Sequence, residues 1–158
     1  MKKLILIFIL FLSNFVYAKT IEGLVVGVAD GDTITVLDQQ KHSYKIRLQG
    51  IDAPEKNQAF GEKSKQSLHD LVHSKQVRIE YDKEDKYGRI VGKVTLEDID
   101  ICLQQLELGM AWHYKKYQNE QSVSDRALYS ETELKSKSLK LGLWTEDMPM
   151  PPWEFRKK

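Results

Sequence analysis

The stretch Ile46-Arg47-Leu48-Gln49-Gly50-Ile51-Asp52-Ala53-Pro54-Glu55 constrains the fold of this chain more than any other. Strand side chains alternate, so Ile46, Leu48 and, less strictly, Ile51 form an apolar side while Arg47 points the other way. Pro54 ends the strand, biases Ala53 toward an extended backbone and removes a donor. Asp52 and Glu55 are thereby set on either side of a rigid corner, close to an arginine. Two carboxylates and a guanidinium are poor core material and suit phosphate chemistry. The arginine fork grips phosphoryl oxygens, one carboxylate holds a cation, and the other takes a proton from water. The ordinary reading of the same residues is a turn aspartate beside a solvated Arg–Glu pair.

The chain has 158 residues, which suits one domain. Its first 18 residues read as a secretory signal peptide: Lys2 and Lys3, an apolar run from Leu4 to Leu12, and Val16-Tyr17-Ala18 before the cut. The run is short for a membrane span, so no stable membrane insertion is expected after cleavage, although an uncleaved anchor is the competing reading. Export to a periplasm or to the cell exterior follows from this. Without Lys2 and Lys3 the 24 basic and 23 acidic residues become 22 and 23, a net charge of −1. A polyanion must then be held by a local cluster and a bound cation, because there is no broad positive field. Cys102 is the single cysteine, has no internal disulfide partner, and sits in the apolar pattern Leu96–Leu108 as a small buried hydrophobe.

Along the chain, Ile21–Ala29 reads as a strand bent near Gly27, Thr33–Leu37 as a second, and Ser43–Ile51 as a third. Between the first two, Asp30-Gly31-Asp32-Thr33 is a tight turn from which Asp32 can emerge as a metal ligand. Asn57–Lys75 has helical spacing, with Phe60, Ser64, Leu68, Leu71 and Val72 on one face. His69 and His73 are four apart on it, but no H-E-x-x-H motif and no third ligand accompany them. Gln76–Asp82 and Arg89–Leu96 are strands flanking a charged hairpin. Asp98–Leu108 is a short helix with Ile99, Leu103 and Leu106 inward, ended by Gly109. Ala111–Tyr117 interleaves aromatic and basic residues, which suits either stacking on bases or packing of Trp112 and Tyr114 into the core. A last helix begins at Ser122 or Ser124 and runs to Leu141. Met148–Lys158 is a tail expected to lie extended over the domain. No P-loop, dinucleotide fingerprint or Ser or Cys nucleophile motif occurs.

Five strands with a helix after the third and helices at the end describe an α+β, mainly β, chain: a five-stranded OB-type barrel with about three helices. On that barrel Asp32, Arg47, Asp52 and Arg89 lie at or near strand ends and are expected to converge. Asp30-Gly31-Asp32-Thr33, Arg47 followed by Asp52-Ala53-Pro54-Glu55, and Asp85-Lys86-Tyr87-Gly88-Arg89 resemble, in order and spacing, the three signatures of the staphylococcal nuclease (thermonuclease) family. Gly109-Met110-Ala111-Trp112 and Gly142-Leu143-Trp144 are similar to its bacterial members, and the likeness runs from about Val25 to Trp144.

The resemblance implies a calcium-dependent endonuclease that hydrolyses DNA and RNA with low sequence specificity and leaves 3′-phosphate ends. It implies that Asp32, Asp52 and the backbone carbonyl of Ala53 hold the calcium ion. Glu55 would be the general base or would position water, while Arg47 and Arg89 would bind phosphate and stabilise the transition state. Lys86 and Tyr87 would contact substrate phosphate. Tyr117 is the nearest counterpart of the family's base-stacking tyrosines, although Lys115 and Lys116 interrupt that local pattern. The domain would run over 19–146, with 147–158 as a tail, and the protein would be a monomer. A non-catalytic OB module that binds nucleic acid is the alternative, and an interaction domain using the Pro-Trp tail is a third.

Overall fold

Five strands curl into a closed barrel whose rim carries the charged residues singled out above; the computed structural model describes residues 19–158. The signal peptide expected over 1–18 lies outside the described residues. Strand β1 (Lys19–Asp30) pairs antiparallel with β2 (Thr33–Leu37), and β2 with β3 (Ser43–Leu48). A two-residue strand β4 (Ile51–Asp52) precedes helix α1 (Gly61–Val72). The chain then returns as β5 (Gln76–Glu84) and β6 (Ile90–Leu96), with β5 pairing both β1 and β6. A parallel β3–β6 contact, Arg47 opposite Val91, closes the barrel. Irregular register in β1 between Val25 and Gly27 and between Val28 and Asp30 bends that strand from one partner to the other, as bulges do.

Alternation dictates what the barrel encloses. Val25, Ile34, Val36, Ile46, Leu48, Ile79 and Val94 are all at most 1% exposed, each contributing roughly 1.5–3 kcal/mol by burial. Leu68 and Val72 of α1 and Cys102 of α2 (Ile101–Glu107) seal one end, every one of them at 0% exposure. Beyond α2, β7 (Ile99–Asp100) pairs with β6, β8 (Trp112–His113) pairs with β4, and α3 (Val123–Ser138) packs on α2. A one-turn helix α4 (Pro152–Phe155) ends the chain.

Several boundaries differ from the sequence reading, each for a local reason. The third strand breaks at Gly50, whose φ of +76° lets the chain turn so that Ile51 and Asp52 pair with β8 instead. Helix α1 starts at Gly61 and not at Asn57, because Phe60 is left-handed (φ 64°) and serves as the cap. Ile99 does not face inward: it lies in β7, is 50% exposed, and the helix begins only after Asp100, whose carboxylate accepts from the Leu103 N–H at 3.1 Å. Ser122 is the cap of α3, accepting from Asp125 N–H at 3.0 Å, and the helix ends at Ser138 because Lys140 is left-handed (φ 51°). The tail is not simply extended. Pro152 is buried, and Gln58 Nε2 donates to the Met150 carbonyl at 2.6 Å. Among the described residues no helix is long and apolar enough to cross a membrane.

Candidate active site

The turn bearing Asp32 is fixed from behind. Gly31 lies so close to α1 that an added Cβ would stand 1.8 Å from Ser64 Oγ and 2.8 Å from the Ala53 Cβ. Gln105 Nε2, wholly buried, donates to the Gly31 carbonyl at 2.8 Å and to the Ser64 carbonyl at 3.1 Å, tying α1, α2 and the turn together. Thr33 pairs with Arg47, which sets Asp32 beside the arginine. The Leu48 N–H donates to the Asp32 carbonyl at 2.8 Å and the Ala53 N–H to Asp32 Oδ2 at 2.7 Å. The proline corner therefore reaches the second strand through a carboxylate as well as through the sheet.

Arg47 is the centre of the charge arrangement. Its Nη1 donates to the Leu48 carbonyl at 2.7 Å, while Nη2 donates to Asp52 Oδ1 at 2.9 Å and lies 3.0 Å from Asp32 Oδ2. One nitrogen thus touches both aspartates, so their carboxylates are neighbours. All three groups are nearly buried: the side chains of Arg47, Asp32 and Asp52 are 12%, 8% and 3% exposed. Burial pushes the Asp32 carboxyl up to about 7. The Arg47 charge opposes this, and the negative charges of Asp30 and Asp52 add to it. Two acids are thus buried against a single guanidinium nitrogen.

Arg89 stands just before β6, and the staggered parallel register sets Arg47 opposite Val91, two residues on, so the two arginines line the same cleft. Asp85 holds it: Arg89 Nε donates to Asp85 Oδ2 at 2.8 Å, and Asp85 Oδ1 accepts the Tyr87 and Arg89 N–H groups at 2.9 and 3.0 Å. These bonds, with the Arg89 charge, outweigh the effect of burial and keep the Asp85 carboxyl below the usual range. Glu55 lies beyond the corner, about two-fifths exposed, with its backbone N–H bonded to Gln58 Oε1 at 3.1 Å.

One open cleft of about 760 Å³ is lined by Asp32, Arg47, Asp52, Ala53, Glu55, Lys86, Tyr87, Arg89 and Tyr117. The sequence-derived candidates therefore converge on one cavity. They are not equivalent within it. Arg47 is engaged with carboxylates and a carbonyl, whereas Tyr87, 71% exposed, and Tyr117, 42% exposed, stand at the rim with their rings accessible. Tyr117 packs edge-on against Tyr114 at 5.0 Å, and Tyr114 lines the cleft as well. His69 of α1 and His73, which caps its end, stack on each other at 4.3 Å, and neither lines the cleft.

Three contributors escape the sequence reading. Asp30 adds negative charge beside Asp32. Asp85, part of a recognised motif, acts as the anchor of Arg89. Arg156, from the tail, donates through Nη2 to Asp52 Oδ2 at 2.8 Å and through Nη1 to Glu55 Oε1 at 2.6 Å. It lies more than a hundred positions from both partners, and nothing in the local sequence marks it.

Among the described residues no group of three or more Asp, Glu, His or Cys side chains is placed to enclose a metal. Asp32 and Asp52 bring two buried carboxylates to the cleft, and Ala53 lines it beside them. Oxygen donors of this kind suit a hard cation completed by water.

The model of the staphylococcal nuclease homologue family matches residues 45–146, more than half of the chain. The chain is 38% identical over 157 residues to an uncharacterized endonuclease of Escherichia coli, covering 99% of this chain and 98% of that protein. It is 39% identical over 134 residues to an uncharacterized endonuclease of Haemophilus influenzae, covering 85% of this chain and 72% of the relative. It is also 36% identical to a micrococcal nuclease of Shigella flexneri, covering 85% and 80%. With a closed five-stranded barrel carrying paired aspartates and arginines at one end, the chain belongs to the staphylococcal nuclease family and is a hydrolase of the nuclease class.

Proposed function

We propose that the protein is an exported, monomeric, calcium-dependent endonuclease that hydrolyses phosphodiester bonds in DNA and RNA with little sequence preference and leaves 3′-phosphate ends. The observation that carries this reading is the convergence of Asp32, Arg47, Asp52, Glu55 and Arg89 on one cleft. The residues fit the ion: Asp32, Asp52 and the carbonyl of Ala53 would hold it, since they are hard oxygen donors lining one cleft. When bound, a divalent cation polarises a phosphoryl oxygen and favours deprotonation of water.

The chain's own residues supply the rest. Glu55, the more exposed carboxylate, is open to solvent and accepts the proton of the attacking water. Arg89, oriented by Asp85, presents positive charge to the diester as negative charge builds on its oxygens. Arg47 keeps Asp32 and Asp52 together and adds fixed positive charge beneath the phosphate. Lys86, Tyr87 and Tyr117 line the approach and offer a cation and ring faces to the strand, contacts that read no base edge and so give little sequence preference.

The test is digestion of plasmid DNA and of RNA by the purified protein, with calcium and with chelator, followed by end-group analysis. Cleavage that requires calcium, leaves 3′-phosphates and is lost in Glu55→Ala is expected. Undiminished cleavage in chelator, or an unaltered Glu55→Ala enzyme, refutes the mechanism. Strand binding without turnover under any divalent ion identifies a binding module instead.

A further inference from the structure

The last twelve residues lie beyond the segment matched by the family model, yet they reach into the cleft. Their anchor is aromatic. The Trp153 ring stacks on Tyr114 with centroids 5.5 Å apart and an interplanar angle of 10°, and meets Trp112 edge-on at 5.6 Å. Pro152 is buried one residue earlier, and the Met150 carbonyl accepts from Gln58 Nε2 at 2.6 Å. A single helical turn then carries Arg156 over the proline corner. Its Nη2 donates to Asp52 Oδ2 at 2.8 Å, and its Nη1 to Asp52 Oδ1 at 3.2 Å and to Glu55 Oε1 at 2.6 Å.

Both oxygens of Asp52 consequently face the guanidinium of Arg156, and Oδ1 also accepts from Arg47 at 2.9 Å. The Asp52 side chain is 3% exposed, so water does not compete for it. With Oδ1 already taken up by Arg47, the Arg156 guanidinium and a divalent ion compete for the rest of that face. Each needs the same lone pairs, and their like charges repel strongly where water is excluded. The Arg156 head bridges Asp52 and Glu55, between the carboxylate assigned to the cation and the one assigned to the attacking water.

We propose that Arg156 is an internal counter-cation of the active centre, occupying the Asp52–Glu55 pair in the free enzyme, so that a divalent ion must displace it to bind. The inference rests on the cation reading of Asp32, Asp52 and Ala53 given above. Docking of Arg156 and uptake of the ion are then antagonistic, and each weakens the other by the same factor. The tail holds the pair of carboxylates in place until an ion arrives, and it sets the ion concentration at which the enzyme switches on. Trp153 takes no part in the charge exchange. It keeps the guanidinium close, and so fixes how strongly Arg156 competes.

The measurement is calorimetric titration of calcium chloride into the purified protein and into Arg156→Gln, a partly exposed position at which glutamine keeps much of the length and removes the charge. Calcium is expected to bind the variant roughly tenfold more tightly, within the usual range of coupling between two ligands of one site. Trp153→Ala, which loosens the anchor and leaves the guanidinium, is expected to tighten binding by a smaller factor. An affinity in Arg156→Gln equal to that of the parent, or weaker, overturns the proposal while leaving the cation reading intact. If neither the parent nor Arg156→Gln takes up calcium, both fall together. Calcium uptake by Arg156→Gln alone supports the antagonism in its strongest form.

Discussion

Replacing Arg47 by methionine tests the charge arrangement at its centre. The side chain is 12% exposed and its Nη2 lies 2.9 and 3.0 Å from two aspartates that are themselves nearly buried. Methionine fills much of the same space without charge. At about pH 8, with chelator present, the substitution strands Asp32 without its cation. Breaking a buried pair by removing one partner costs about 3–5 kcal/mol. At about pH 5 the cost is smaller. Burial raises the Asp32 carboxyl to about 7 even with Arg47 present, and loss of that charge raises it further, so the native protein holds a neutral acid there. What remains is the lost hydrogen bonds to the Leu48 carbonyl and to Asp52, about 1–2 kcal/mol in all. The sign follows from linkage. A carboxyl whose folded value lies above its unfolded 3.8 keeps its proton in the native state while the unfolded chain releases its own, so stability falls as pH rises between the two. The parent loses stability across that window and Arg47→Met loses more. Urea unfolding of both proteins at the two pH values measures the difference. An equal deficit at both would refute the claim that Arg47 serves to offset the buried acids.

Further outcomes follow from other contacts. Glu55→Gln should lower kcat by about 10²- to 10⁴-fold with little change in KM, as loss of a general base does, measured on a defined oligonucleotide. Gly31→Ala should destabilise by about 1–3 kcal/mol in thermal unfolding, because its Cβ would meet the fully buried Ser64 at 1.8 Å; a neutral result would show that the turn can shift. Glu133, 1% exposed, accepts from the His113 N–H at 3.0 Å and from Lys115 at 2.9 Å, and lies 3.2 Å from Lys137. Burial pushes its carboxyl up, but Lys115, Lys137 and the His113 N–H together hold it below 4.5. Glu133→Gln should therefore cost about 1.5–3 kcal/mol near neutral pH, and the difference should vanish as pH falls below 4.5 through the lower folded value. A deficit independent of pH would assign the loss to packing alone.

The sequence by itself carried the barrel, because its information is periodic and local. Alternation at Ile46, Arg47 and Leu48 decides which face each residue takes, whereas the strand stops at Leu48 before Gly50 and not at Pro54. The same locality explains the misplaced boundaries. Left-handed Phe60 starts α1 four residues late, and Ile99 joins a strand because β6 lies beside it, which no helical spacing reveals. The spacing of Asp32, Arg47, Asp52, Glu55 and Arg89 was legible as a family pattern, but their pairing was not. Only the closed barrel decides that Arg47 meets two aspartates at once, that Asp85 turns Arg89, and that Arg156 comes to rest on Asp52 from 104 positions away. Charge acts through space and reads no sequence separation, so a lone arginine in a tail gives no sign of its partner until the chain has folded.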